Sequence, residues 1–152
     1  MSLPTNKKSI IISAVLGMSM LSPVLVHAGC SQSDMTGTWY AYSMSADSAG
    51  YYYPQTNQCK VKISSSGSIV ASKSSCKMRS ITGLVAVNIT GGSIKVNSSC
   101  KLSGSMKISS VYGNDTIKLE FGSAAKDKRT LSLVGYDVDD PTYISYLSAV
   151  KQ

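Results

Sequence analysis

The chain has 152 residues, 43% of them hydrophobic and 15% charged, with 15 Lys and Arg against 8 Asp and Glu, four cysteines and a single histidine, His27. Beyond position 28 there is no histidine and one glutamate, Glu120, so Ser-His-Asp or Cys-His catalysis and histidine-based metal sites are excluded there. No enzyme activity, metal or cofactor is expected.

Lys7 and Lys8 precede an apolar run from Ile10 to Val26, and Val26-His27-Ala28 ends it with the compact residues a signal peptidase needs. Residues 1–28 are read as a secretory signal, leaving residues 29–152 as a single domain. Ser13, Gly17, Ser19, Ser22 and Pro23 make the run a poor membrane span, so no transmembrane anchor is expected after cleavage. Gly29-Cys30 also suits a lipoprotein signal, but His27 stands where such signals usually carry leucine. Cleavage after Ala28 is the expectation, and lipid attachment at Cys30 the alternative. Cleavage leaves Cys30, Cys59, Cys76 and Cys100, an even set that implies two disulfides formed in the periplasm or outside a bacterial cell. Four cysteines allow three pairings, and their spacing does not choose among them.

Period-two alternation then organises the chain. Gly37–Ser43 is the first predicted strand and holds the one tryptophan, Trp39. Tyr51-Tyr52-Tyr53-Pro54 falls in the long connection after it. Cys59, Val61 and Ile63 alternate with Lys60 and Lys62, and Ser65-Ser66-Gly67 turns into a strand with Ile69 and Ala71. Ile81, Gly83, Val85, Val87 and Ile89 share one parity, and Gly91-Gly92 is expected to reverse the chain into Ile94, Val96 and Cys100, with Lys95 and Lys101 opposite. Met106, Ile108 and Tyr112 follow, with Lys107 on the opposite parity, and Gly113-Asn114-Asp115 turns. Ile117, Leu119 and Phe121 return, and Leu131 and Leu133 complete about eight strands. Asp140 as N-cap, Pro141 at the first helical position, and Tyr143, Leu147 and Val150 at helical spacing predict a terminal helix over about 140–151. Tyr40 and Tyr42 are expected to meet it.

Eight antiparallel strands with one apolar face close into a barrel or fold over as a sandwich. The Gly37-Thr38-Trp39 triplet, the meander and the late helix resemble the lipocalin-like, or calycin, barrels. The resemblance implies an all-β, up-and-down antiparallel barrel with a short C-terminal helix. It also implies that Trp39 plugs the closed end beneath an arginine from the last strand, for which Arg129 has the right parity. "GSIVASKSSCKM" and "GSIKVNSSCKL", starting at Gly67 and Gly92, look alike, and a parallel β-solenoid is the rival architecture.

Two functions follow as expectations. In the first, Val61, Ile63, Val85, Val87, Ile94, Val96, Ile108, Leu119, Phe121, Leu131 and Leu133 line an interior that accepts a small apolar or amphipathic ligand, with Tyr51, Tyr52 and Tyr53 at its mouth. Whether the interior is hollow or filled is open. In the second, an outer face bearing Lys60, Lys62, Lys95, Lys101 and Lys107 binds an anionic glycan, lipopolysaccharide or a protein partner. Its basis is the stretch between Asp47 and Asp115, which contains no acid. No specific nucleic-acid recognition is indicated. Asp34, Asp47, Asp115 and Asp127 read as turn or loop residues, and Asp137-Val138-Asp139-Asp140 as an acidic run that caps the helix.

Overall fold

Alternating inward and outward residues give strands whose apolar face must be covered, and a sheet that closes on itself covers it without leaving an edge. The computed structural model describes residues 29–48, 50 and 54–152; the expected signal and Tyr51–Tyr53 lie outside the described residues. A one-turn helix α1 (Gln32–Met35) leads into β1 (Gly37–Asp47), β2 (Gln55–Ile63), a 3-10 turn (Ala71–Lys73), β3 (Ser75–Ser80) and β4 (Gly83–Val96). Then come β5 (Lys101–Ser110), β6 (Gly113–Ala124), β7 (Thr130–Asp137) and β8 (Tyr143–Lys151). Each strand pairs antiparallel with the next, and β8 pairs back onto β1, closing an eight-stranded up-and-down barrel.

The barrel is therefore as expected, but its eighth member is not. The predicted terminal helix is β8. Its inward residues include Ser145 and Ala149, both buried, so the strand alternation is hidden behind small and polar side chains, while Tyr143, Leu147 and Val150 mimic a helical stripe. Asp140 accepts from the backbone N (3.2 Å) and hydroxyl (2.6 Å) of Thr142, a short-range pattern that serves a turn as readily as an N-cap. Tyr40 and Tyr42 consequently lie beside a strand, with Tyr42 exposed.

Gly91-Gly92 is likewise not a turn. β4 continues through it with a bulge between Ile89 and Gly91, and the chain reverses later, around Asn97–Cys100. Gly92 has φ of +127°, and a side chain there would run into the backbone of Ser105 and Met106 on β5. Glycine inside the strand thus permits the close approach of two strands where the barrel wall bends. The two similar segments do not stack as solenoid rungs. Their Gly-Ser-Ile starts pair antiparallel with each other, Ile69 N donating to Gly92 O and Ile94 N to Gly67 O, both at 2.9 Å. This pairing covers the lower part of β4, beyond the reach of the short β3. The segment of Ile69 and Ala71, expected as a strand, contributes only bridges and the 3-10 turn.

The closed end is packed around Trp39, 1% exposed. Its indole Nε1 donates to Met35 O at 2.8 Å, joining β1 to α1. The cation near its ring is Lys151, with Nζ 5.8 Å from the ring centroid, and Arg129 is exposed. The expectation for Arg129 fails because the tight turn over Ala125–Lys128, with Lys128 at φ of +57°, sets its side chain in solvent, while its carbonyl accepts from Lys151 N at 2.7 Å. Lys151, in contrast, is the direct cross-strand partner of Trp39. Its side chain crosses Gly37, Cε lying 2.8 Å from where a Cβ would stand, and Nζ donates to Asp34 O at 2.8 Å. Glycine at Gly37 leaves room for this crossing.

The helix that caps this end is held from several sides. Cys30 is bonded to Cys100, Gln32 bridges Ile94 O and Val96 N, and the Asp34 carboxylate pairs with Lys128 at 3.0 Å. Hydrogen bonds from Ser31 and Lys128 hold the Asp34 carboxyl below its ordinary pKa. The second disulfide, Cys59–Cys76, joins directly opposed residues of β2 and β3.

Trp39→Ala is expected to lower stability by roughly 3–5 kcal/mol, and Lys151→Ala by about 1–2 kcal/mol through the lost cation–π contact and carbonyl bond. Arg129→Ala is expected to change it by less than about 0.5 kcal/mol; urea unfolding orders the three. In the same assay, replacing Cys30 and Cys100 by alanine, with a sequence separation of 70, should cost about 4 kcal/mol in chain entropy. Replacing Cys59 and Cys76, separated by 17, should cost about 3 kcal/mol.

Candidate functional site

Each strand alternates inward and outward, but the inward set changes character from the closed end to the open one. On β1 it runs Trp39, Ala41, Ser43, Ser45; on β6, read backwards, Leu119, Ile117, Asp115; on β8, again backwards, Ala149, Leu147, Ser145, Tyr143. Large apolar residues fill the closed half. Ile63, Ile94, Leu131 and Leu133 are buried there with Met35, Trp39 and Leu102.

The open half is hollow. A cavity of about 720 Å³ is walled in its deeper part by the Cys59–Cys76 disulfide, Met78, Val87, Met106, Ile108, Ile117, Leu119 and Leu147. Toward the mouth the lining becomes Ser45, Gln55, Ser80, Thr82, Ser110, Tyr112, Asp115, Asp137, Asp139, Asp140, Tyr143 and Ser145. The volume is in the range of small-molecule sites. Ser45 and Ser145 satisfy one another by a buried hydroxyl pair at 2.8 Å, so these inward polar groups do not demand a ligand atom. Tyr112, at the tip between β5 and β6, meets the Thr82 hydroxyl at the tip between β3 and β4 at 3.1 Å. Ile81, Val111 and Tyr112 leave these two tips exposed.

Carboxylates crowd one side of the mouth. Asp137 is buried at 8% exposure and accepts from Asp139 N at 3.0 Å. Burial, and then the negative charges of Asp137 and Asp139, push the Asp115 carboxyl above its ordinary pKa. Burial, together with the charges of Asp115 and Asp137, raises the Tyr143 phenol despite its bond to Ser45. Asp115 is thus no turn residue: it lies on β6 with the inward parity of Ile117 and Leu119. Asp47, also expected in a loop, is buried at the end of β1. The Asp137–Asp140 run ends β7 and forms the turn to β8, with no helix to cap.

Of the residues expected to line the interior, Val87, Ile108 and Leu119 reach the cavity. Val61, Ile63, Ile94, Leu131 and Leu133 belong to the packed core, with Val85 and Val96 half-buried against it. Phe121 is not inside at all, being 69% exposed. A bulge between Leu119 and Phe121 inserts one residue into β6 and switches the parity beyond it, so Phe121 joins Val134, Tyr146 and Met44 in one outward row across β6, β7, β8 and β1. Met78, Met106, Ile117 and Leu147 were missed as lining residues, although Met78 shares the parity of Cys76 and Ile117 that of Leu119. Lys60, Lys95, Lys101 and Lys107 are exposed on the outer wall and Lys62 half-exposed, as the alternation implies.

Among the described residues, no helix is long and apolar enough to cross a membrane and no group of three acids or cysteines is arranged to hold a metal ion. Two disulfides are chemistry of an oxidising, extracytoplasmic environment. No protein-family model matches the chain, and no curated protein is similar to it.

Because the folded state holds the Asp115 proton more tightly than the unfolded chain does, ionised Asp115 opposes folding, and stability is lost as pH rises through its raised folded pKa. Asp115→Asn should therefore raise the thermal midpoint at neutral pH. The gain should vanish below the ordinary carboxylate range, where Asp115 is protonated in both states; thermal melts across that range check it.

Proposed function

We propose that the protein is an exported, non-enzymatic carrier, a lipocalin-like barrel that takes a small apolar or amphipathic molecule into its open half. The observation that carries this reading is the cavity of about 720 Å³ with an apolar depth and a polar mouth. The inward residues of the closed half already form a dry core, so stability does not depend on filling the open half with side chains. A pocket whose depth is bounded by two methionines, a disulfide and aliphatic side chains gains free energy by exchanging water for hydrocarbon. Thioether side chains adapt their shape, which favours a class of related molecules over one rigid ligand. The disulfide across β2 and β3 stiffens the wall beside the cavity.

Cys30 supports a secreted or periplasmic chain cleaved after Ala28 over a lipidated one, since it is bonded to Cys100 and both disulfides use all four cysteines. A second surface, the lysine-bearing outer wall of β2 to β5, favours a weaker association with anionic envelope polymers.

The neutral fluorophore 1-aminoanthracene is expected to bind with a blue-shifted, enhanced emission, one molecule per chain. Met106→Trp, which narrows the apolar depth of the cavity, should weaken the signal while leaving the fold intact by circular dichroism. Raising ionic strength should leave fluorophore binding unchanged and weaken any heparin binding by the outer wall. Absence of the emission change, or an affinity unaltered by Met106→Trp, Ile117→Trp and the two combined, would refute the carrier reading.

A further inference from the structure

The charges of this molecule are sorted by position. The chain carries 15 Lys and Arg against 8 Asp and Glu, yet among the described residues no Lys or Arg lines the cavity. Four of the eight acids do: Asp115, Asp137, Asp139 and Asp140. Among the described residues, Lys128 pairs with Asp34 at the closed end and Lys118 with Glu120 on the outer wall, and neither ion pair involves Asp115, Asp137, Asp139 or Asp140. A net-basic protein has thus placed half its acids around this cavity, with no base among the described residues that line it.

Resting on the carrier reading, we infer that the cavity selects a cationic amphiphile, an alkyl or aryl amine whose ammonium sits among the mouth carboxylates while its hydrocarbon occupies the depth.

Three observations converge on that ligand class. The mouth field is negative, and low-dielectric walls concentrate it at the entrance, so an ammonium is attracted and a fatty-acid carboxylate is repelled. Tyr112 and Tyr143 line the same mouth, and ring faces next to carboxylates are the surroundings in which ammonium groups are bound. Asp115 keeps its proton more readily than usual, first because it is partly buried and then because Asp137 and Asp139 stand near it, and the latter, like-charge part is an arrangement that a bound positive charge would relieve. A divalent metal ion fits less well, since among the described residues no three carboxylates converge on one point. The depth is bounded mainly by Met78, Met106, Ile117 and Leu119, with Ser43 and Asn57 as its few polar groups, so hydrocarbon is its main complement.

The test displaces bound 1-aminoanthracene with decylamine, decanol and decanoate, which share one chain and differ in head charge, each below its micelle concentration. Decylamine should displace at about tenfold lower concentration than decanol, a difference of about 1.4 kcal/mol, and decanoate should be weaker than both. Asp139→Asn, at an exposed position that carries no packing, should reduce the decylamine advantage, and Asp115→Asn with it should erase it while leaving decanol unchanged. If the fluorophore itself fails to bind, the carrier reading falls. If the fluorophore binds but decanol or decanoate matches decylamine, or none of the three displaces it, the carrier stands and the cation preference is overturned. Displacement of decylamine by excess calcium would also overturn it, by making the mouth a metal site.

Discussion

The structure depends on β8 completing two ladders at once. Tyr143–Lys151 pairs with Gly37–Asp47 on one side and Thr130–Asp137 on the other, and that double pairing removes the two edges an open seven-stranded sheet would expose. The backbone demand decides the conformation of this segment against its local helical spacing. A short helix would satisfy its own hydrogen bonds but leave the first and seventh strands unpaired along their length. Closure also brings Lys151 beside Trp39, so the last side chains of the domain seal the first strand.

Closure has a second consequence at the two ends of the cylinder. At the closed end α1, its disulfide to Cys100 and the Trp39–Met35 hydrogen bond plug the bore, and the large side chains Ile63, Ile94, Leu102, Leu131 and Leu133 pack beneath them. At the open end the corresponding inward positions are serines, aspartates and a tyrosine, which cannot fill the bore and are better hydrated than buried. A filled half and a hollow half therefore follow from one gradient of residue type along the strands. The filled half provides the stability that allows the hollow half to carry groups, such as Asp115 beside Asp137, that oppose folding.

Much of this was legible in the residue order. Alternation located six of the strands at least in part, leaving β3 and β8 unread, and the resemblance carried by the Gly-x-Trp triplet put Trp39 at the closed end. Cysteine parity gave two disulfides. Reading failed where one inserted residue or one long-range partner changes the outcome. The bulge before Gly91 made a continuous strand look like a hairpin, and the bulge at Glu120 and Phe121 moved Phe121 from the interior to the outer wall. Arg129 was expected at the floor from its parity and Lys151 was not considered, whereas the cross-strand register pairs Trp39 with Lys151. Asp115 was read as a turn residue because it follows glycine and asparagine, although its parity with Ile117 and Leu119 already pointed inward.

The sequence by itself determined the two-disulfide count of an oxidising environment, the all-β class and an outer wall of lysines, because each rests on composition or on period-two alternation between neighbours. Only the tertiary structure decided that the barrel is half hollow, which cysteines pair, and that four acids meet at the mouth. These properties arise from strand register and closure, which bring together residues as distant as Asp47 and Tyr143 or Cys30 and Cys100, and no local pattern encodes such meetings.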